Sequence, residues 1–348
     1  MQAKQRLIIG LMAFGLIHGC GEDAGSSSGG LDGAPMTDAG SGTAMTDTMA
    51  APMIDMMTAP MPDASGADSE VVRPDVERGM STQQLMHDGV MRDYKVYVPE
   101  GYAPGTPTPT LMNFHGGDMN ADGQIAIADM RALADEEGFI LIYPEGSITE
   151  GEQTWNMLLP SPTNKSDADD FGFTAAMLDA ESVRLNIDTD RVYATGYSNG
   201  AGFAYGLACQ LSDRIAAIAP VAGLMWTDMI TNCMPTHPTP VVIFNGTQDF
   251  ERPYDGYPGF MISVEEAVNH WTSHNGITDA PVMDTLMTQG LTIERNTYSG
   301  GQAGTSVVRY KFINGGHVWF DLDNDGADLN RTIWDFVSQY DLNGLRAE

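Results

Sequence analysis

The chain has 348 residues, 42% of them hydrophobic and 8% aromatic, with a formal net charge of −30 at pH 7. So acidic a surface argues against nucleic acid and against anionic membranes or polymers as partners, because like charge repels them. A neutral substrate meets no such barrier, and strong acidity also serves solubility and adaptation to salt.

Lys4 and Arg6 precede a short apolar run, Leu7 to Ile17. That run is too short to span a bilayer comfortably and has the form of an export signal. It ends at Leu16-Ile17-His18-Gly19-Cys20, which resembles the lipobox of bacterial lipoproteins with Cys20 as the lipidated residue. Residues 1–20 are therefore expected to be a lipoprotein-type signal, the lipid being the only link to a membrane. Ordinary secretion with cleavage near Gly19 is the alternative. Residues 21–75 are rich in Gly, Ala, Ser, Thr, Asp, Pro and Met, without helical or strand period. Such a stretch cannot bury enough apolar surface to offset the entropy of ordering, and it reads as a disordered acidic tether. With Cys20 lipidated, Cys209 and Cys233 remain as one possible disulfide, as an exported protein permits.

From residue 76 to residue 348 the pattern alternates between strand and helix. Tyr94 to Val98, Thr110 to Phe114 and Phe139 to Tyr143 read as strands, and Ile125 to Glu137 as one helix. Asp169 to Leu185 is helical, with Phe171, Ala175 and Leu178 on one face. Val192 to Ala194, Ile215 to Val221, Val241 to Phe244 and Val307 to Ile313 are further strands. Ala201 to Leu211, Ser263 to His274 and Asn330 to Tyr340 are further helices. Strands alternating with helices predict an α/β domain: a mostly parallel sheet covered on both faces.

Gly196-Tyr197-Ser198-Asn199-Gly200 lies between a predicted strand and a predicted helix. That context fits a nucleophile elbow, a tight turn that lifts a serine hydroxyl above the sheet edge. A serine needs a base to act at neutral pH. His317, on the loop after the strand ending at Ile313, is the best placed of the seven histidines. A base histidine works only when neutral, so activity should fall in acid. Asp249 follows the strand Val241 to Phe244 and would orient the imidazole, with Asp255 the nearest rival. The order Ser198, Asp249, His317 is the one α/β-hydrolases use. Backbone N–H groups of Asn199 and of the Gly116-Gly117 loop would stabilise the developing oxyanion.

These motifs together resemble the polyhydroxybutyrate depolymerase and feruloyl/acetylxylan esterase family over about Tyr94 to Tyr340. The resemblance also rests on His115-Gly116-Gly117, Asp170-Phe171-Gly172-Phe173, Asn245-Gly246-Thr247-Gln248-Asp249, Pro253-Tyr254 and Gly315-Gly316-His317-Val318-Trp319. It implies an α/β-hydrolase fold and a carboxylesterase with a Ser-His-Asp triad and no cofactor. The chain departs from relatives at Ile277, where they often carry Cys, and at Gly200-Ala201, where they carry Gly-Gly.

Trp155, Tyr254 and Trp319, with Trp226 and Tyr257 beside them, are candidates for an apolar floor under an aromatic acyl group or a polyester chain. Soluble short-chain or aromatic esters are therefore expected substrates ahead of dense polymer. No metal is expected. His270 and His274 lack the Glu of a zinc motif, and Asp321 to Gly326 begins like a calcium loop whose twelfth position is Thr332 instead of Glu. A serine peptidase of the same fold and an inactive surface-binding domain are the rival readings.

Overall fold

The computed structural model describes residues 75–149, 151–158, 167–288 and 290–347. The signal, Cys20 and the tether up to residue 74 lie outside the described residues. In chain order the first elements are β1 (Gly79–His87), β2 (Val90–Val98), β3 (Thr108–Phe114), α1 (Ala121–Ile127), α2 (Arg131–Glu137) and β4 (Ile140–Pro144). A small hairpin, β5 (Ser147–Thr149) and β6 (Glu152–Thr154), is followed by α3 (Asp170–Arg184), β7 (Ile187–Tyr197), α4 (Asn199–Gln210), β8 (Ala217–Val221) and α5 (Thr227–Thr231). The remaining main elements are β9 (Val241–Gly246), α6 (Val264–His274), β10 (Val282–Thr288), β11 (Leu291–Tyr298), β12 (Val307–Phe312) and α7 (Leu329–Val337).

Ten strands form one sheet in the order β1-β2-β4-β3-β7-β8-β9-β12-β11-β10. The six from β4 to β12 run parallel, and antiparallel strands flank them on both sides. Period-two alternation along the central strands separates two cores. Met112, Ile142, Ala194, Ile243 and Val307 face one, which α3, α4 and α6 fill with Phe173, Met177, Phe203, Leu207 and Trp271. Their neighbours Leu111, Leu141, Tyr193, Val242 and Val308 face the other, against Ala134 of α2 and Ile333 and Trp334 of α7. Each large apolar side chain so buried contributes about 1.5–3 kcal/mol. This is the two-faced, mostly parallel sheet expected from the sequence.

The single helix expected over Ile125 to Glu137 is in fact two, α1 and α2. The Tyr143 hydroxyl explains the break. It accepts from the Met130 N–H at 3.1 Å and donates to the Ala128 carbonyl at 2.9 Å, so it takes over polar groups a continuous helix would pair. Cys209, near the end of α4, is bonded to Cys233, just beyond α5, as the cysteine count suggested. The bridge ties α4 to the segment from Trp226 to Cys233.

Candidate active site

Ser198 stands where β7 turns into α4, at the C-terminal edge of the parallel strands. Its backbone has φ 53° and ψ −110°, a conformation that costs an L-residue on the order of 1–3 kcal/mol. The flanking glycines make the turn possible. A Cβ at Gly200 would lie 2.3 Å from the Phe114 carbonyl oxygen and 2.5 Å from that of His115. At Gly196 it would lie 2.7 Å from the Gly200 backbone. The elbow therefore packs directly on the end of β3 only because two side chains are missing. The Ser198 N–H donates to the Val221 carbonyl at 3.0 Å, which anchors the turn to β8.

The loops after β9 and β12 meet beside it. A Cβ at Gly246 would lie 2.2 Å from the Gly315 carbonyl oxygen, so the two loops touch backbone to backbone. The structure brings Ser198, His317 and Asp249 into one hydrogen-bonded line. His317 Nε2 is 2.8 Å from Ser198 Oγ, and His317 Nδ1 is 2.7 Å from Asp249 Oδ2. The Asp249 side chain is fully buried, and its Oδ1 accepts the N–H groups of Glu251 (2.9 Å) and Arg252 (2.7 Å). With Oδ1 so occupied, Oδ2 faces the imidazole. A carboxylate only accepts, so Nδ1 carries the proton and Nε2 is free to accept from the serine hydroxyl. Asp255 is exposed. Tyr197 is more than the spacer its place in the motif suggests. Its hydroxyl donates to the His317 carbonyl at 2.9 Å, and its ring centroid lies 5.0 Å from the imidazole.

Across the elbow, Gly117 and Asn199 are neighbours: a Cβ at Gly117 would lie 3.6 Å from Asn199 Cβ. Asn199 is the first residue of α4, so its N–H has no partner within the helix. Its side chain is fixed from outside. Asn199 Oδ1 accepts from Trp155 N–H (2.7 Å) and the Thr154 hydroxyl (3.0 Å), and Nδ2 donates to the Trp155 carbonyl (3.3 Å). His115 sets the Gly116-Gly117 peptide. His115 Nε2 accepts the Gly146 N–H at 2.8 Å, so Nδ1 holds the proton and donates to the Gly116 carbonyl at 2.7 Å. In a trans peptide the next N–H points the opposite way. Holding the Gly116 carbonyl therefore turns the Gly117 N–H away from His115.

Burial pushes His115 down to about 4, against the pull of its bond to Gly116 and with help from the Arg92 charge. The unfolded chain would take this proton near its ordinary value of 6.5, so between those pH values the unfolded state binds more protons. The stability this neutral histidine contributes is complete above pH 6.5 and is lost as pH falls to about 4, a loss on the order of 3 kcal/mol. Denaturation of wild type and His115→Asn across that range checks it. The difference between the two proteins should shrink as pH falls. A difference that stays constant contradicts the assignment.

The aromatic candidates are not gathered at an open face. Trp155 is 2% exposed, packs on Phe114, Phe203 and His115, and donates from Nε1 to the His115 carbonyl. Tyr254 is 7% exposed, with its hydroxyl on Glu265 and the Lys311 ammonium over its ring. Trp319 is half-buried and donates to Asn330 at 3.1 Å. Of the two candidates beside them, Trp226 is half-buried and Tyr257 exposed, as are Phe250 and Phe260, and the Tyr257 hydroxyl donates to the Phe250 carbonyl at 3.5 Å. The segment from Thr154 to Asn156, which binds the Asn199 side chain, is held by a buried ion pair the sequence did not reveal. Arg92 donates to Asp170 Oδ1 at 2.7 Å, and Asp170 Oδ2 accepts the Asn156 N–H at 2.6 Å. In the acidic loop, Arg295 donates to Asn324 Oδ1, and Asp323 accepts the Gly326 N–H. Among the described residues, His87, Asp88 and Asp169 bring three ligand-type atoms within 4.8 Å of one another, and His87 is already bonded to Asp169.

The sheet, the elbow and the loops above it are those of an α/β-hydrolase. The same fold is present in an acetyl xylan esterase from Aspergillus awamori, which aligns with a TM-score of 0.53 at 16% identity over 74% of this chain and 99% of that one. The chain belongs to the family described as Esterase PHB depolymerase, whose model matches residues 92–266. That match includes Ser198 and Asp249 and stops before His317. The chain is 29% identical over 258 residues to a bifunctional acetylxylan esterase/xylanase of Neocallimastix patriciarum, covering 74% of this chain and 34% of that protein. It is 29% identical over 257 residues to feruloyl esterase B of Piromyces equi, covering 71% of this chain and 45% of that protein. The chain thus matches less than half the length of these two relatives. Among the described residues, no helix is long and apolar enough to cross a membrane.

Proposed function

We propose that the chain is a serine carboxylesterase of the feruloyl or acetylxylan esterase type, working through an acyl-enzyme. The observation that carries this reading is the line from Ser198 Oγ through His317 to Asp249, with bonds of 2.8 and 2.7 Å. His317 takes the Ser198 proton as the oxygen attacks the ester carbonyl, and Asp249 stabilises the imidazolium. The carbonyl oxygen gains negative charge beside the N–H groups of Asn199 and Gly117, and a donor of this kind is worth about 3–4 kcal/mol in the transition state. His317 then protonates the leaving alcohol. Water, activated by the same imidazole, releases the acid. Activity should appear on 4-nitrophenyl acetate and methyl ferulate, and exceed that on peptides and dense polyester. Efficient peptide cleavage with negligible turnover of every ester would overturn the reading.

The sequence also supports export, with residues 1–20 as signal, a lipid on Cys20 and residues 21–75 as a tether for the catalytic domain at residues 76–348. Cys20→Ser should then move the protein from the membrane fraction to the soluble one. A wild-type protein found mainly soluble and unlipidated would end that proposal.

A further inference from the structure

We propose that Glu251 is a specificity-determining residue that selects the alcohol half of the ester. The inference rests on the acyl-transfer reading above and concerns a residue to which the sequence motifs give no role. Asp249 Oδ1 accepts the Glu251 N–H at 2.9 Å and the Arg252 N–H at 2.7 Å, so the triad acid itself fixes the backbone of this segment. From there the Glu251 side chain turns over the imidazole. Its Oε2 lies 3.6 Å from His317 Nε2, and the side chain is 69% exposed. Ser198 Oγ lies 2.8 Å from the same nitrogen. Glu251 is therefore the carboxylate on the solvent side of the atom that passes the proton between serine and leaving group.

Position determines what it meets. The leaving oxygen must come within hydrogen-bond reach of His317 Nε2 to be protonated. The alcohol half of the substrate consequently departs past Glu251, while the acyl oxygen turns toward Asn199 and Gly117. Arg252 interacts electrostatically with both Glu251 and Asp249 but, among the described residues, makes no direct ion pair with the Glu251 carboxylate. Its guanidinium donates to the Glu251 backbone carbonyl.

A carboxylate accepts hydrogen bonds and donates none. It strengthens binding of an alcohol that carries further hydroxyl donors next to the ester oxygen. It disfavours an alcohol that carries a negative charge. A polyester chain offers neither, because the groups flanking its leaving oxygen are ester carbonyls, which only accept. Glu251 thus favours esters of polyols over esters of anionic alcohols and over polyester chains.

Three acetate esters that form the same acetyl-enzyme test this: glycerol monoacetate, ethyl acetate and the acetate ester of glycolate. Because kcat/KM covers steps only through acylation and the acetyl group is shared, its ratios report the alcohol half alone. In full-length Glu251→Gln, the glycerol-to-ethyl ratio should fall by about tenfold, the size of a charge-assisted hydrogen bond. The glycolate-to-ethyl ratio should rise by about fivefold at low salt and much less at about 0.5 M salt, where exposed charges are screened. Glu251→Asp keeps the charge and should retain discrimination against the anionic ester. Ratios that stay within about twofold of wild type, or that move in the same direction, would overturn the proposal while leaving the esterase reading in place. No turnover of the three by a wild-type protein that hydrolyses methyl ferulate would overturn this inference alone, and no turnover of methyl ferulate either would sink the esterase reading with it.

Discussion

Ser198→Ala is expected to lower kcat/KM for 4-nitrophenyl acetate by about 10⁴-fold or more. Without the hydroxyl there is no acyl-enzyme, and only the oxyanion donors and binding remain, which support a residual rate above water. The fold should survive. Ser198 is 6% exposed, and among the described residues its side-chain bond is to His317. Alanine inherits the positive φ, so its stability should stay close to wild type. Glycine has no Cβ to strain at φ 53°. Ser198→Gly should therefore be equally inactive and more stable by about 1 kcal/mol. Activity assays and urea denaturation of both variants check the pair of effects. A folded Ser198→Ala protein with turnover near wild type contradicts the nucleophile assignment.

Asp249→Asn should lower kcat by about 10⁴-fold with little change in fold. The structure supplies the reason. Two backbone N–H groups, of Glu251 and Arg252, demand an oxygen at the Oδ1 position. They would hold the asparagine carbonyl there and place its NH₂ group against His317 Nδ1. Nδ1 must then accept, which puts the remaining ring proton on Nε2, facing Ser198. Such an imidazole cannot take the serine proton. The kcat of the purified variant, with its thermal midpoint as a control for folding, decides. A loss under about tenfold would place the orienting role elsewhere.

The two halves of the molecule were unequally legible in the sequence. Central strands buried on both faces show as apolar runs such as Ile140 to Tyr143, and all residues of β4 are buried. The edge strands gave no such signal. In β10, Val282, Met283 and Met287 are exposed, and β1 alternates half-buried with exposed residues, so their order comes from the ladder of backbone bonds. The elbow was visible as Gly-x-Ser-x-Gly between a strand and a helix, and the acid and histidine loops as segments that follow apolar strands. What holds them was not visible. The bonds of Tyr197 to the His317 carbonyl, of Asn199 to Trp155 and of Asp170 to Asn156 join residues 14 to 120 positions apart, and no local pattern encodes them. The aromatic candidates illustrate the same limit. Trp155 has the composition of a substrate wall, yet its ring is spent on packing beneath the oxyanion loop.

His317 is expected to make Ser198 nucleophilic. A fluorophosphonate that reacts only with an activated serine tests it most directly, followed by peptide mass mapping of wild type, His317→Ala and Ser198→Ala. One phosphonyl group per wild-type chain is expected, on Ser198, with labelling nearly abolished in both variants. A label on another serine, or equal labelling of Ser198 when His317 is absent, would contradict it.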